Sequence, residues 1–274
     1  MVFSQENFEK LSEYIYRKSG IHLEYTKHYE KLRKQVTKRS ESEGFDSFRK
    51  YFYTLRFEDQ AGAEFEELIN AVTVNETYFY RENHQFEILI NELLPMINQT
   101  KRANEPIRIL CAPCSTGEEP YSVALHLLED DGIVNERDFE IFGIDIDSNV
   151  IEKAKKGLYS DRSIHALSPA IKRKYFNKKM GYNELDPDIR EAITFSKANV
   201  FDKQEMNALG KFDVIFSRNM LIYFDDASKK EVAMNFYNML NPEGFIMLGH
   251  AEYMNRIVTV FKPIQFNKHI IYQK

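Results

Sequence analysis

The chain has 274 residues, of which 43% are hydrophobic and 29% are charged, as is usual for a globular protein with one large or two smaller domains. The net charge of −5 argues against binding to nucleic acid through phosphate contacts, and two cysteines cannot form a disulfide framework. No apolar run is long enough to cross a bilayer, and the chain does not start with a secretory signal. We therefore expect a cytoplasmic protein without membrane insertion or a nucleic-acid partner.

The first quarter of the chain has the pattern of an all-helical domain. Phe8, Leu11 and Ile15 recur at helical spacing, and Gly20 is expected to end this first helix. Further helices are predicted over residues 27–43, 46–55 and 61–72. Because no strand alternation interrupts these helices, the sequence predicts an all-α N-terminal domain over residues 1–73.

Strands and helices alternate in the remainder of the chain. Strands are predicted over residues 107–112, 139–146, 212–216 and 245–249, and helices over residues 119–130, 149–158 and 228–240. This order is typical of an α/β fold with a mostly parallel sheet, here closed by an antiparallel pair over 259–266 and 269–272. The alternation breaks in a charged stretch, which predicts a small inserted subdomain at about 159–194 within a second domain over 74–274.

The segment from Ile109 to Tyr121 joins the first predicted strand to a helix. Ser115 or Thr116 is expected to cap that helix, and Glu118 and Glu119 fall in its first turn, where acids favour the helix dipole. Capping alone is one explanation of this pattern. However, a phosphate site requires several glycines and a helix N-terminus without acids. The junction is therefore a poor phosphate site and favours a cationic ligand.

Polar residues also follow the next two strands. Asp147 or Ser148 is expected to cap the helix after the second strand, which leaves Asp145 to accept the hydroxyls of a ribose. Arg218 and Asn219 end the third strand and are expected to face the same crevice, although a surface ion pair is an alternative for the arginine. A ligand with a ribose and a cationic group but no phosphate is S-adenosylmethionine.

Four segments together resemble the chemotaxis receptor methyltransferase (CheR) family. They are Val74 to Glu82, Ser115 to Tyr121, Gly143 to Asp147, and Arg218 to Phe224 followed by Gly249-His250-Ala251-Glu252. Their order and spacing fit from about residue 5 to the C-terminus. The resemblance implies an all-α domain followed by a Rossmann-like, S-adenosylmethionine-dependent methyltransferase domain with an inserted β-subdomain. It also implies O-methylation of glutamate side chains in the helical cytoplasmic region of chemoreceptors, with S-adenosylhomocysteine as product.

The resemblance also implies a set of site residues, none of them a metal ligand. Arg81 and Tyr223 would lie nearest to the chemistry. The contacts to S-adenosylmethionine would come from Asn75, Thr77, Arg81, Glu119, Asp145, Asn199, Val200, Arg218 and Asn219.

The chain departs from the family pattern at two places. Cys111-Ala112-Pro113-Cys114 replaces the small residues that usually precede Ser-Thr-Gly. The inserted region reads Lys179-Met180-Gly181-Tyr182-Asn183, without the Gly-x-Gly turn associated with binding a receptor's C-terminal pentapeptide. The second departure leaves tethering through a pentapeptide in doubt.

A row of lysines on the second predicted helix suggests how a receptor would be bound. Lys27, Lys31, Lys34 and Lys38 share one face, because they are spaced i, i+4, i+7 and i+11. A solvated helix face is the ordinary explanation of such a row. The functional explanation is electrostatic attraction of a monomeric enzyme to an acidic receptor bundle.

Two alternative functions use the same segments. Cys111-x-x-Cys114 lies between a strand and a helix, as the redox pair does in thiol-disulfide oxidoreductases, although the chain is much longer than one such domain. The fold could also serve as a non-catalytic S-adenosylmethionine-binding sensor or scaffold. Arg81 argues against a sensor, because binding of the cofactor alone would not require this residue. A zinc site is disfavoured, since there are only two thiols and no histidine pair at ligand spacing.

Overall fold

The fold was analysed in a computed structural model that describes residues 3–73, 75–102, 104–130, 132 and 137–274. Val74, the first residue of the segments that resemble the family, lies outside the described residues. The chain divides into two compact units. The helical unit comprises Met1–Val74 and Ile222–Ser228, and the sheet unit comprises Asn75–Leu221 and Lys229–Lys274.

The N-terminal part of the helical unit consists of helices, as the sequence predicts. They are α1 (Gln5–Ser19), α2 (Tyr25–Glu43), α3 (Phe48–Tyr53), which continues into a π-helical turn at Thr54–Glu58, and α4 (Ala63–Val72). The Ser4 hydroxyl caps α1, and Gly20 ends it in the left-handed conformation that glycine adopts without strain. Arg39 on α2 makes a bidentate ion pair with the buried Glu64 on α4 and thereby holds these two helices together.

The sheet unit contains ten strands and eight α-helices among its described residues. The strands are β1 (Ile107–Cys111), β2 (Phe139–Asp145), β3 (Leu158–Tyr159), β4 (Phe176–Lys179), β5 (Tyr182–Leu185), β6 (Ile193–Lys197), β7 (Phe212–Ser217), β8 (Leu240–Leu248), β9 (Lys262–Phe266) and β10 (His269–Gln273). The helices are α5 (His84–Ile88), α6 (Leu94–Thr100), α7 (Glu118–Glu129), α8 (Ser148–Lys156), α9 (Pro169–Tyr175), α10 (Pro187–Glu191), α11 (Lys203–Ala208) and α12 (Asp226–Met239), whose first turn belongs to the helical unit.

Seven strands form one mixed sheet in the order β6-β2-β1-β7-β8-β10-β9. The first five of these run parallel, and β10 pairs antiparallel with both β8 and β9. From β1 the chain moves outward to β2 and β6 and then returns to β7 on the other side of β1. In open α/β sheets, this change of direction creates a crevice at the carboxyl ends of the strands.

The segment between β2 and β6 carries a second, three-stranded sheet in the order β3-β5-β4. Helices α9 and α10 flank β4 and β5 in the chain. Among the described residues, no helix combines the length and apolar character needed to cross a membrane.

Candidate active site

The cofactor residues that were predicted after β1, β2 and β7 lie at the crevice end of the sheet. β1, β2 and β7 are adjacent and parallel, so their carboxyl ends lie at the same edge. The turn after β1 leads into α7, Asp145 ends β2, and Arg218 follows β7. The topology therefore explains how residues about 100 positions apart in sequence share one site.

The turn after β1 differs from the expected geometry. We expected Ser115 or Thr116 to cap α7, and this expectation is wrong: the N-cap residue is Gly117, with φ 92° and no side-chain capping bond. The Thr116 hydroxyl instead donates to the carboxylate of Glu118 at 2.6 Å. A Cβ atom at Gly117 would lie 2.8 Å from Cβ of Ala154, so only glycine fits this turn.

Asp145 is a buried carboxylate at the end of β2. Its oxygens accept hydrogen bonds from the amides of Ser115 at 2.9 Å and Asp147 at 3.0 Å, and the residue is 5% exposed. Burial raises the pKa of Asp145 to about 6, against the effect of these amides. As expected, Asp147 caps α8, and it also accepts from Nδ2 of Asn75 at 3.1 Å. The two amides thus hold the Asp145 carboxylate in place. Its pKa of about 6 lies close to neutral pH.

Glu119 and Arg218 form an ion pair inside the site. The guanidinium Nη1 donates to the Glu119 carboxylate at 2.9 Å, and Nη2 donates to the main-chain carbonyl of Arg81 at 2.6 Å. Glu82 lies 3.6 Å from the same guanidinium, whose side chain is only 3% exposed. Burial raises the pKa of Glu119, and the charge of Arg218 partly offsets that rise. Arg218 thus joins Arg81 to the carboxylate beside β1.

Arg81 belongs to the loop at residues 75–83, which also contains Asn75 and Thr77. Arg81 Nη1 donates to the carbonyl of Glu76 at 2.7 Å. The amide of Phe79 donates to the Ser163 carbonyl, and the amide of Tyr80 donates to the Ser122 hydroxyl. Since Asn75 reaches Asp147 and the Arg81 carbonyl reaches Arg218, the loop is attached to the strand ends at both of its ends.

Glu252 is a site residue to which the sequence analysis gave no role, although it ends one of the segments that resemble the family. Its buried carboxylate accepts hydrogen bonds from the amides of Asn219, Leu221 and Gly249 at 2.7–2.9 Å. These bonds fix the turn after β7, in which Asn219 has a φ of 56°. A Cβ atom at Gly249 would lie 2.8 Å from the Asn219 amide nitrogen, so the turn also requires this glycine. Glu252 therefore holds Asn219 in place.

The remaining predicted site residues are Thr77, which is partly buried in the loop at residues 75–83, and Asn199, Val200 and Tyr223, which lie on other segments. The Asn199 amide donates to Glu205, and the Val200 carbonyl accepts from Asn235, in the loop after β6. Tyr223 ends a short 3-10 helix and lies in the segment that belongs to the helical unit.

The cysteines have the opposite of the environment that redox chemistry requires. Cys111 and Cys114 are free thiols with 0% and 1% exposure, and burial raises both pKa values well above the ordinary value. An attacking thiol needs a lowered pKa and an accessible sulfur. The structure thus gives a thiol-disulfide oxidoreductase no support. No cluster of three or more His, Cys, Asp or Glu side chains suited to a metal ion occurs among the described residues.

The crevice fits a ligand that combines hydroxyls with a cation. Asp145 and Glu119 supply two buried carboxylates, and further buried polar atoms lie at the ends of β1 and β7. Ser115 Oγ, Ser217 Oγ and Arg218 Nε have no hydrogen-bond partner among the described atoms. Buried polar groups normally have a partner, which a bound ligand can supply. The ribose hydroxyls and the positive charge of S-adenosylmethionine match this set.

Comparison with known proteins gives matches over both units. The family model "CheR methyltransferase, all-alpha domain" matches residues 6–73, and "CheR methyltransferase, SAM binding domain" matches residues 75–270. The chain is 42% identical to "Chemotaxis protein methyltransferase 2" of Vibrio cholerae, with 100% of this chain and 94% of the relative covered. It is 33% identical to the chemotaxis protein methyltransferase of Salmonella typhimurium (95% and 88% covered) and 31% identical to that of Escherichia coli (95% and 89%).

These matches confirm the predicted fold and the predicted cofactor, S-adenosylmethionine. They give no support to a redox protein or to a non-catalytic sensor, since the relatives named above are methyltransferases. The chain belongs to the CheR methyltransferase family and consists of its all-α domain followed by its S-adenosylmethionine-binding methyltransferase domain.

Proposed function

We propose that this protein methylates glutamate side chains of chemoreceptors, forming glutamate methyl esters and S-adenosylhomocysteine. The observation that carries the proposal is the double contact of Arg218, which attaches the loop bearing Arg81 to the Glu119 carboxylate. An arginine attached to the cofactor crevice can recognise a carboxylate substrate, whereas binding of the cofactor alone does not call for it.

The proposed reaction needs no general base. S-adenosylmethionine supplies a methyl group activated by a sulfonium charge. A glutamate side chain is ionised at neutral pH, so its oxygen can attack the methyl carbon in line. The new carbon–oxygen bond forms as the carbon–sulfur bond breaks, and the two opposite charges disappear together. A site with little water and a fixed geometry favours such a step.

Different site residues bind the cofactor and the substrate. We assign the ribose hydroxyls to Asp145, the cationic part of the cofactor to Glu119, and the substrate carboxylate to Arg81. Tyr223 would orient that carboxylate. The resemblance to the family assigns the remaining cofactor contacts to Asn75, Thr77, Asn199, Val200, Arg218 and Asn219.

The lysine row on α2 is the proposed docking surface for the acidic receptor bundle. Lys27, Lys31, Lys34 and Lys38 are all exposed, while Leu32 on the same helix is buried. Lys27 pairs with Glu24 at 2.7 Å, whereas no ion pair within 4 Å is found for the other three among the described residues. Positive charge on this face would attract an acidic receptor. The substrate class also makes the cytoplasm the proposed location. We propose a monomer as the form of the enzyme.

The direct test is methyl transfer from labelled S-adenosylmethionine to a purified receptor cytoplasmic domain. We expect label in the receptor that mild base releases, because carboxyl esters hydrolyse readily in base. Label that resists base would contradict ester formation. Binding of the cofactor without any transfer would favour a sensor or scaffold instead.

Replacing Arg81 by alanine tests its proposed role in the same assay. We expect turnover to fall about 100-fold, because the substrate carboxylate loses the group that holds it. Arg162→Ala is the matched control: Arg162 is exposed and contacts Glu76 of the same loop. Equal turnover in Arg81→Ala and wild type would exclude the assigned role.

The pKa of Asp145 predicts how cofactor binding depends on pH. Because burial raises this pKa to about 6, the ionised acceptor is lost as the pH falls through 6. Calorimetry should therefore show affinity for S-adenosylmethionine falling up to about tenfold per pH unit below 6. Asp145→Asn should bind more weakly at pH 7 and lack this transition, while the exposed Asp161→Asn should keep it. A transition near pH 6 that persists in Asp145→Asn would contradict the assignment.

Charge reversal tests the docking surface. A Lys31→Glu, Lys34→Glu variant should methylate receptors more slowly at low salt and respond less to added salt, because the attraction is screened. Lys155→Glu, Lys156→Glu on α8 makes the same change in net charge and serves as control. An unaltered salt dependence of receptor methylation in the α2 variant would contradict the proposed docking surface.

A further inference from the structure

The short segment that carries Tyr223 is part of the helical unit, although it is distant from α1–α4 in sequence. The His22 amide donates to the Tyr223 carbonyl at 2.9 Å, and Ile21 and Phe224 form an isolated antiparallel β-bridge. Phe224 is 6% exposed. The main chain around Tyr223 is thus fixed by the extended link that follows α1.

A side-chain contact fixes the same segment two residues further on. The Tyr16 hydroxyl, in the last turn of α1, donates to Oδ2 of Asp225 at 2.9 Å. The other carboxylate oxygen, Oδ1, accepts from the amide of Ser228 in the first turn of α12. The Ser228 amide and the Tyr16 hydroxyl hold the pKa of Asp225 below its ordinary value. Asp225 therefore connects the end of α1 to the start of α12.

The local sequence explains why α1 can make both contacts. Gly20 ends the helix in a left-handed conformation with φ 72°, and the chain leaves α1 at that point. Tyr16 lies one turn before this stop, and Ile21 and His22 follow it directly. One side chain and two main-chain positions, all within seven residues, thus reach the segment at 223–225.

We propose that Tyr16 is a positioning residue for Tyr223 and acts through Asp225. The inference rests on the proposed role of Tyr223 in orienting the substrate carboxylate. Tyr16, Tyr223 and Asp225 all belong to the helical unit, so the contacts behind the inference lie within one unit. The loss of one hydrogen bond is enough to loosen such a segment, and small misplacements of reacting groups reduce turnover strongly.

The test is Tyr16→Phe in the full-length chain, assayed by methyl transfer to receptor. We expect kcat to fall about 5- to 10-fold, with the affinity for S-adenosylmethionine and the KM for receptor unchanged. Tyr14→Phe is the matched control, because Tyr14 lies on the same helix and its hydroxyl donates to the Leu55 carbonyl instead. The control should lose a hydrogen bond and keep its kcat. Thermal unfolding of both variants shows whether a lower kcat merely follows lower stability.

A double mutant separates this inference from the proposed function. If Tyr16 acts through Tyr223, adding Tyr16→Phe to Tyr223→Phe should reduce kcat no further. Equal fold-losses in both backgrounds, or a kcat loss equal to that of Tyr14→Phe, would overturn the positioning role while Tyr223 keeps its own. A Tyr223→Phe variant with wild-type kcat would overturn the role of Tyr223 and this inference with it.

Discussion

The site depends on one buried cation, the guanidinium of Arg218. A buried charge is tolerated only when partners compensate for its lost hydration, and Arg218 has Glu119, Glu82 and the Arg81 carbonyl. These partners come from α7 and from the loop before α5, whereas Arg218 itself follows β7. Satisfying one charge therefore brings three separate parts of the chain together at the crevice.

A second buried side chain, Glu252, stabilises the chain next to Arg218. The Glu252 carboxylate binds the amides of Asn219, Leu221 and Gly249, and so fixes the turn directly after Arg218. Asp145 and Asp147 do similar work on the other side of β1, where they bind main-chain amides and the side chain of Asn75. Acidic side chains thus shape most of the crevice, which is consistent with a ligand that carries positive charge and hydroxyl groups.

The sequence predicted the elements whose local signals are strong. The central strands β1 and β7 are mostly apolar, apart from Arg108 and Asp213, and each lies between two neighbouring strands. Gly20 ends α1 where expected. Strand β6 was not predicted. It lies at the edge of the sheet with one neighbour, so only part of its surface is buried and its pattern is weak. The helices α5 and α6 were also missed, because a π-helical turn at Leu89–Leu93 separates them and Pro95 interrupts the helical signal.

The sequence analysis named candidate site residues, which stay predictions, but it did not predict the contacts between them. Asp145 was proposed from its place at a strand end and Glu119 from its place in the first turn of a helix. The roles of Arg81 and Tyr223 came only from resemblance to the family. The capping expectation failed because the left-handed Gly117 starts α7 after both hydroxyl residues. The bonds of Arg218 to Glu119 and to the Arg81 carbonyl join residues 99 and 137 positions apart, and no local pattern contains such pairings.

The central claim is that Arg218 holds the Arg81 loop to the cofactor crevice. Hydrogen exchange in Arg218→Lys tests it most directly, since lysine keeps the charge but cannot make both bonds in this geometry. The account predicts exchange of the Phe79 and Tyr80 amides at least about tenfold faster than in wild type, together with weaker binding of S-adenosylmethionine. Wild-type exchange in this loop and wild-type affinity in the variant would contradict it.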